Sequence, residues 1–410
     1  MPRLHTRPVT TYSRPKRATI DGARQLIESI RSRQPIEGLT HSYYRYPASF
    51  HPQFSHAVIE ALSRPGDTVL DPFMGGGTTV VEALRLARRV IGVDINPLAV
   101  FIARVKSTPL SQSQLRAAYE MTRRLRRNPP RIHLRLHHQR EDARFKNAPW
   151  WIRDCLLGIM EEFGPIKDDK VERFLRCGLL KAAKWALDCK RRMPNSRELV
   201  ALFCANVVEM CDQMTEYRQA LSSTGLATIR HAMRLRTLLQ RSTIGIENDH
   251  RIPSAWLPVR LVVTSPPYPG VHVLYHRWQV RGRRETAAPF AIVGSPDGQG
   301  PSYYTFASRH REEPYFDALT AAYKSIAGLL APDALVVQLV SFADPGRQLK
   351  KFLAAMARAG FEECTPADVG LKRSKRIWRL VPGRRWYSWC KDDPPTAKEL
   401  VLFHRLTHPC

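Results

Sequence analysis

Acidic residues are scarce in this chain. Its 410 residues include 37 Asp+Glu against 64 Lys+Arg, a formal net charge of +27. An enzyme of small neutral substrates has no need of that surplus. A polyanionic partner fits it, because each phosphate neutralised by a basic side chain releases counterions. Charge alone does not separate DNA from RNA. Long apolar runs are also missing. No stretch of about 18 apolar residues occurs, so no transmembrane helix is expected. The start, Met1-Pro-Arg-Leu-His-Thr-Arg7, has no apolar leader, and a cytoplasmic protein with no membrane partner is expected. None of the eight cysteines forms a Cys-x-x-Cys pair, and no histidines have zinc-finger spacing, so no metal is expected. Five cysteines lie between 155 and 211 in helix-like sequence and read as reduced, buried, small apolar residues. The Gly-x-Gly-x-x-Gly pattern and the Walker pattern are both absent, which argues against a dinucleotide or a nucleoside triphosphate.

Apolar residues make up 43% of the chain, enough for a sizeable core. Residues 1–40 read as a basic arm and a short helix. Residues 41–107 read as the first part of an α/β domain. A helix is predicted over 52–63, a buried strand over 67–71, a helix over 79–87 and a strand over 89–95, which together make a βαβ unit with a right-handed crossover. Helical periodicity dominates residues 108–240 (150–163, 171–189 and 198–221), and this stretch reads as a helical insertion. The α/β pattern resumes near residue 244 and occupies 241–410. Residues 259–264 form a strand, 274–301 a glycine-rich loop, 314–330 a helix, 335–342 a strand and 348–359 a helix. Residues 376–380 and 399–404 read as late, antiparallel strands.

Two motifs about 190 residues apart, each after an apolar strand, carry the chemistry. The first is Asp71-Pro-Phe-Met-Gly-Gly-Gly-Thr78. Glycines Gly75 and Gly77 let backbone approach a ligand closely, and the following helix offers N–H groups. Asp71, at the strand end, can receive a charged amino group. Asp94 ends the next strand, 17 residues after Gly77, where an acid commonly takes ribose hydroxyls. A nucleoside with an amino-acid tail suits two acids better than a diphosphate does. The second motif is Thr264-Ser-Pro-Pro-Tyr268. An exocyclic base amine is a poor nucleophile, because its lone pair is delocalised into the ring. Ser265 Oγ and the Pro266 carbonyl can accept its two hydrogens and turn the lone pair outward. Pro266 and Pro267 hold the acceptors in place, and Tyr268 offers a face for the base. Such an amine is reachable only in a flipped-out or unpaired nucleotide.

The chain resembles the amino-group DNA methyltransferases. Asp71-Pro-Phe-Met-Gly-Gly-Gly-Thr-Thr79 looks like their S-adenosylmethionine loop, and Ser265-Pro-Pro-Tyr268 like their (Asn/Asp/Ser)-Pro-Pro-(Tyr/Phe) element. The resemblance covers residues 41–107 and 244–345. It implies a Rossmann-like S-adenosylmethionine-dependent methyltransferase sheet, α/β with a helical insertion. It adds Pro72, Phe73 and Thr78 to the cofactor site, places Phe50 on the methionine side through Tyr46-Pro-Ala-Ser-Phe-His-Pro52, and sends Asp249 toward the adenine. Within the family a leading Ser is associated mainly with cytosine N4, and Asp or Asn with adenine N6. Cytosine C5 chemistry needs a Pro-Cys thiolate, and the one Pro-Cys here is Pro409-Cys410.

The implied function is site-specific transfer of a methyl group to the N4 amine of cytosine in DNA, with a cognate restriction nuclease as a possible partner. Adenine N6 in DNA is the nearest alternative. An RNA base methyltransferase and an inactive DNA-binding subunit are the others. Target reading is assigned to the 108–240 insertion, with Arg123 and Arg124, and to the loop after Tyr268, with Arg277, Trp278, Arg281, Arg283 and Arg284. Arginines interleaved with aromatics suit phosphate contact and stacking on displaced bases.

Overall fold

The computed structural model describes residues 20–32, 38–44, 46, 51–130, 142–188, 192–226, 229–269, 277–282, 284–296, 312–372, 375–381 and 397–407. Helices α1 (Ile20–Arg31) and α2 (Pro52–Leu62) precede β1 (Thr68–Asp71), α3 (Thr78–Arg85), β2 (Arg89–Asp94) and α4 (Pro97–Lys106). Helices α5 (Gln112–Arg127), α6 (Trp150–Glu161), α7 (Asp169–Leu187), α8 (Ser196–Ser222) and α9 (Ile229–Arg234) follow, then β3 (Arg236–Gln240) and β4 (Val259–Thr264). Next come β5 (Trp278–Val280), β6 (Arg284–Thr286), α10 (Ala288–Val293), α11 (Glu312–Ala327) and β7 (Leu330–Val340). The series closes with α12 (Pro345–Arg358), β8 (Phe361–Cys364), β9 (Ile377–Val381) and β10 (Ala397–Leu406).

The main sheet runs β3-β2-β1-β4-β7-β10-β8, with β9 on β10. β1, β2, β3, β4 and β7 are parallel, and β10 runs antiparallel to β7, β8 and β9. The chain builds outward from β1 to β3, then returns to the other side of β1 with β4. That reversal makes the β1/β4 boundary a topological switch point, where a crevice opens beyond the carboxyl ends of the strands.

Alternation along the strands divides the core. Val69, Val90, Leu261, Val263, Val337 and Val401 face one cluster, with α2, α3 and α4. Leu70, Ile91, Val262, Val336, Leu400 and Leu402 face the other, with α11 and α12. This is the period-two pleat of a sheet buried on both sides. The helices of the insertion extend the first cluster outward from α3 and α4. Local signals fix their starts. Ser111 with Gln114 and Asn195 with Glu198 form capping boxes at α5 and α8, and Asn96 followed by Pro97 caps α4.

Two readings of the sequence change. The sheet resumes at Arg236, not near residue 244, because β3 pairs with β2 as an edge strand. The 274–301 segment contains regular elements: β5 and β6 form a hairpin joined to the end of α7, and α10 is buried along its whole length. Three-residue strands are too short for a periodicity signal. Among the described residues no helix is long and apolar enough to cross a membrane.

Gly77 is pinned both by its backbone (φ +75°) and by space, since a Cβ there would lie 2.7 Å from Ala103 Cβ and 2.8 Å from Ala103 Cα. Gly66 has a similar φ of +85° but open surroundings. Gly77→Ala should therefore lower the urea-unfolding free energy by about 2–4 kcal/mol, and Gly66→Ala by only about 1 kcal/mol. Equal losses would show that α3 and α4 are not in forced contact.

Candidate active site

Asp71 ends β1 and Thr264 ends β4, so the parallel register carries both motifs to the same edge of the sheet. The Thr264 hydroxyl donates to Asp71 Oδ1 at 2.7 Å, a contact between residues 193 apart in sequence. The Phe73 N–H donates to the same oxygen at 3.3 Å, and the Thr79 hydroxyl donates to the Val263 carbonyl at 3.2 Å. Asp71 is almost wholly buried. Burial pushes its carboxyl up to about 7, with the hydrogen bond from Thr264 opposing the rise and the nearby charge of Asp94 adding to it.

The glycine loop is tied to β2. Asp94 Oδ2 accepts from the Gly75 N–H at 2.9 Å and Oδ1 from the Asn96 N–H at 2.8 Å. Burial pushes Asp94 up to about 6, and those backbone donors restrain it. Gly75 has φ +47°, and a Cβ there would lie 3.4 Å from the ring of Tyr46. The Tyr46 hydroxyl accepts from Asn96 Nδ2 at 2.8 Å. Pro72 is buried and its carbonyl accepts from the Thr243 hydroxyl at 2.6 Å. Phe73 is half-buried, and Thr78 is buried as the first residue of α3. Glycine cradle, one buried and one half-buried acid and an open helix start make a set suited to a nucleoside that carries an ammonium group. Phe50 lies outside the described residues.

Asp249 is linked to this pair through Arg241, whose backbone N–H donates to the Asp94 carbonyl at 3.1 Å. Its carboxylate accepts from Arg251 Nη2 at 2.6 Å and Nε at 2.9 Å, and from Arg241 Nη1 at 2.7 Å. The Arg251 guanidinium, followed by Arg241, holds it well below the usual carboxylate range.

In the second motif Ser265 is half-buried, Pro266 buried and Pro267 half-buried. The Pro267 carbonyl accepts from the Tyr315 hydroxyl at 2.7 Å, while the Pro266 carbonyl has no hydrogen-bond partner among the described residues. Tyr268 corrects the expectation of an open aromatic face. The residue is 4% exposed and packs in the second core cluster. Its hydroxyl accepts from the Ser265 hydroxyl at 2.9 Å and donates to Glu399 Oε1 at 2.9 Å. A buried tyrosine keeps its hydroxyl partnered, and here the carboxylate on β10 draws the ring inward.

The basic candidates divide. Trp278 is 2% exposed, and its indole N–H donates to the Tyr44 hydroxyl at 3.1 Å. It is a core residue, and the expectation that it stacks on displaced bases is corrected. Arg277 is largely buried, 3.9 Å from Glu285. Arg281 and Arg284 are exposed on the β5–β6 hairpin, and Arg283 lies outside the described residues. Arg123 and Arg124 are exposed on α5, paired with Glu120 and Glu162. Sequence reasoning missed three residues. Thr264 bridges the motifs, Glu399 partners Tyr268, and Ile95 stands 42% exposed beside Asp94. An acid inside an apolar strand and an apolar residue just past a strand-end acid were the available signals.

A family model described as DNA methylase, covering N6 and N4 methyltransferases, matches residues 22–104. The Type II methyltransferase M.MvaI of Kocuria varians is 41% identical over 83 residues, 20% of this chain and 18% of that protein. The Type II methyltransferase M.MjaII of Methanocaldococcus jannaschii is 38% identical over 66 residues, 16% of this chain and 12% of that protein. The matched stretch is thus less than a fifth of either relative. Among solved structures, the rRNA methyltransferase aviRa from Streptomyces viridochromogenes aligns over 90% of both chains with 12% identity and a TM-score of 0.36.

The two acids set a pH dependence. Folded Asp71 and Asp94 keep protons at pH values where the unfolded chain has released them. The stability they contribute is complete below the ordinary carboxylate range and is lost as pH rises, through about 6 for Asp94 and about 7 for Asp71. Relative to Asp71→Asn, the wild-type protein should therefore lose stability in urea unfolding from about pH 4 to about pH 7, while groups common to both, such as buried His404, cancel in the difference. Identical slopes would contradict this.

Proposed function

We propose that this chain, whose residues 22–104 match the DNA methylase family model, is an amino-group DNA methyltransferase and transfers a methyl group from S-adenosylmethionine to the N4 amine of cytosine in DNA. The observation that carries the reading is the Thr264–Asp71 hydrogen bond, which sets the glycine loop beside Ser265. Asp71 receives the ammonium of the cofactor's amino-acid tail, Asp94 the ribose hydroxyls, and Ile95 offers an apolar side to the adenine. Phe73 and the N–H groups at the start of α3 complete the cradle. When bound, S-adenosylmethionine supplies a methyl group activated on a sulfonium.

Ser265 and Pro266 act on the nucleophile. Ser265 Oγ and the Pro266 carbonyl accept the two hydrogens of the cytosine amine, so its lone pair turns out of the ring. The prolines fix both acceptors before the base arrives, which spares reorganisation at the moment of reaction. The leading serine supports cytosine over adenine by the family's own tendency. The base reaches the pocket flipped out or unpaired. Exposed Arg123, Arg124, Arg281 and Arg284, within a chain of net charge +27, supply phosphate contacts.

Incubation with methyl-labelled S-adenosylmethionine and DNA, followed by nucleoside analysis, should yield N4-methylcytosine. Ser265→Ala should lower the rate by about 10²–10³-fold. N6-methyladenine as the sole product would overturn the base assignment, and label in RNA but not DNA would overturn the substrate class.

A further inference from the structure

Behind Ser265 lies a chain of buried polar groups that leads away from the reacting atoms. The Ser265 hydroxyl donates to Tyr268 Oη, and the Tyr268 hydroxyl donates to Glu399 Oε1, both at 2.9 Å. Glu399 and Arg379 are partners across the β9–β10 register, with Arg379 Nε 3.4 Å from Glu399 Oε2. Both are more than nine-tenths buried. β10 enters the sheet antiparallel between β7 and β8, and so carries this acid to the edge where β4 ends. An acid inside a strand of Leu, Val and Phe has a desolvation cost, which Arg379 and the Tyr268 hydroxyl offset here.

We propose that Glu399, through Tyr268, fixes Ser265 as a hydrogen-bond acceptor toward the substrate amine. The argument is one of polarity. A carboxylate only accepts, so Tyr268 must donate to it. The phenolic oxygen is then left to accept, and it takes the one proton that Ser265 can donate. Ser265 Oγ presents only lone pairs to whatever enters beside it. Without the acid, the serine hydroxyl is free to turn and donate. A serine that donates to the amine nitrogen occupies the lone pair that must attack, and one that donates to the ring nitrogen leaves an amine hydrogen unclaimed. Glu399 is a positioning residue: it touches Tyr268, not the base. Tyr268 accordingly works through its hydroxyl while its ring stays in the core.

This inference rests on the amine-methylation reading above, and its test separates the two. Single-turnover methyl transfer is measured for Tyr268→Phe, Glu399→Leu, their double variant, and Glu399→Leu in a Ser265→Ala background. Each single change should slow transfer roughly tenfold, on the order of one hydrogen bond, with cofactor and DNA affinities within about twofold of wild type. The double variant should be no slower than either single one, and Glu399→Leu should add nothing once Ser265 is gone. Additive losses, or wild-type rates in Tyr268→Phe, would overturn the proposal. Tyr268→Phe retains the buried ring, so it decides the matter even where Glu399→Leu fails to fold. A readout without turnover is urea unfolding of the apo protein: Tyr268→Phe and Glu399→Gln should be non-additive, and additivity sinks the chain whatever the activity. Absence of any transfer by the wild-type protein, with coupling intact, counts against the methylation reading and leaves the polar chain standing.

Discussion

The hydrogen bond from Thr264 to Asp71 is the constraint on which the site depends. Each residue closes a parallel strand, and the two strands meet where the order of the sheet reverses. A crevice at such a boundary is a consequence of topology. What fills it depends on which side chains the strand ends carry. Here one end carries a buried acid that leads into a glycine turn, and the other carries a hydroxyl that leads into a proline-stiffened loop. The bond gives Asp71 part of the solvation that burial removes, and it fixes the spacing between the two loops.

The same economy recurs around the site. Asp94 is satisfied by two backbone N–H groups, one of them from the glycine loop, so the acid that ends β2 also shapes the turn after β1. Tyr46 closes the loop from outside and is held by Asn96, the residue that caps α4. Asp249 is spoken for by two arginines. The polar groups at this edge are therefore held in place before any ligand arrives, which is the preorganisation that catalysis by orientation requires.

Much of this was legible in the chain. The βαβ unit from residue 67 to residue 95 could be read from apolar runs, glycines and a terminal acid, and the structure has β1, α3 and β2 there. The helices α6, α7 and α8 follow their 3.6-residue period. Reading failed where burial came from partners distant in sequence. Trp278 sits among arginines and looks like a surface aromatic, yet it is sealed against Tyr44, 234 residues earlier. Tyr268 follows two prolines in a loop, yet its hydroxyl is drawn inward by Glu399, 131 residues later. β3 is a half-exposed edge strand with an ambiguous pattern, and its place is given only by pairing with β2. Sequence reports local period and local chemistry, whereas these residues take their roles from what the topology sets beside them.

If the two motifs form one site, a bound ligand must touch both. The most direct test is a crystal structure with an S-adenosylmethionine analogue that carries an amine in place of the methylsulfonium. The account predicts its amino-acid ammonium on Asp71, its ribose on Asp94, and its reactive end facing Ser265. A ligand bound away from the β1/β4 edge, or one whose reactive end points away from Ser265, would contradict it.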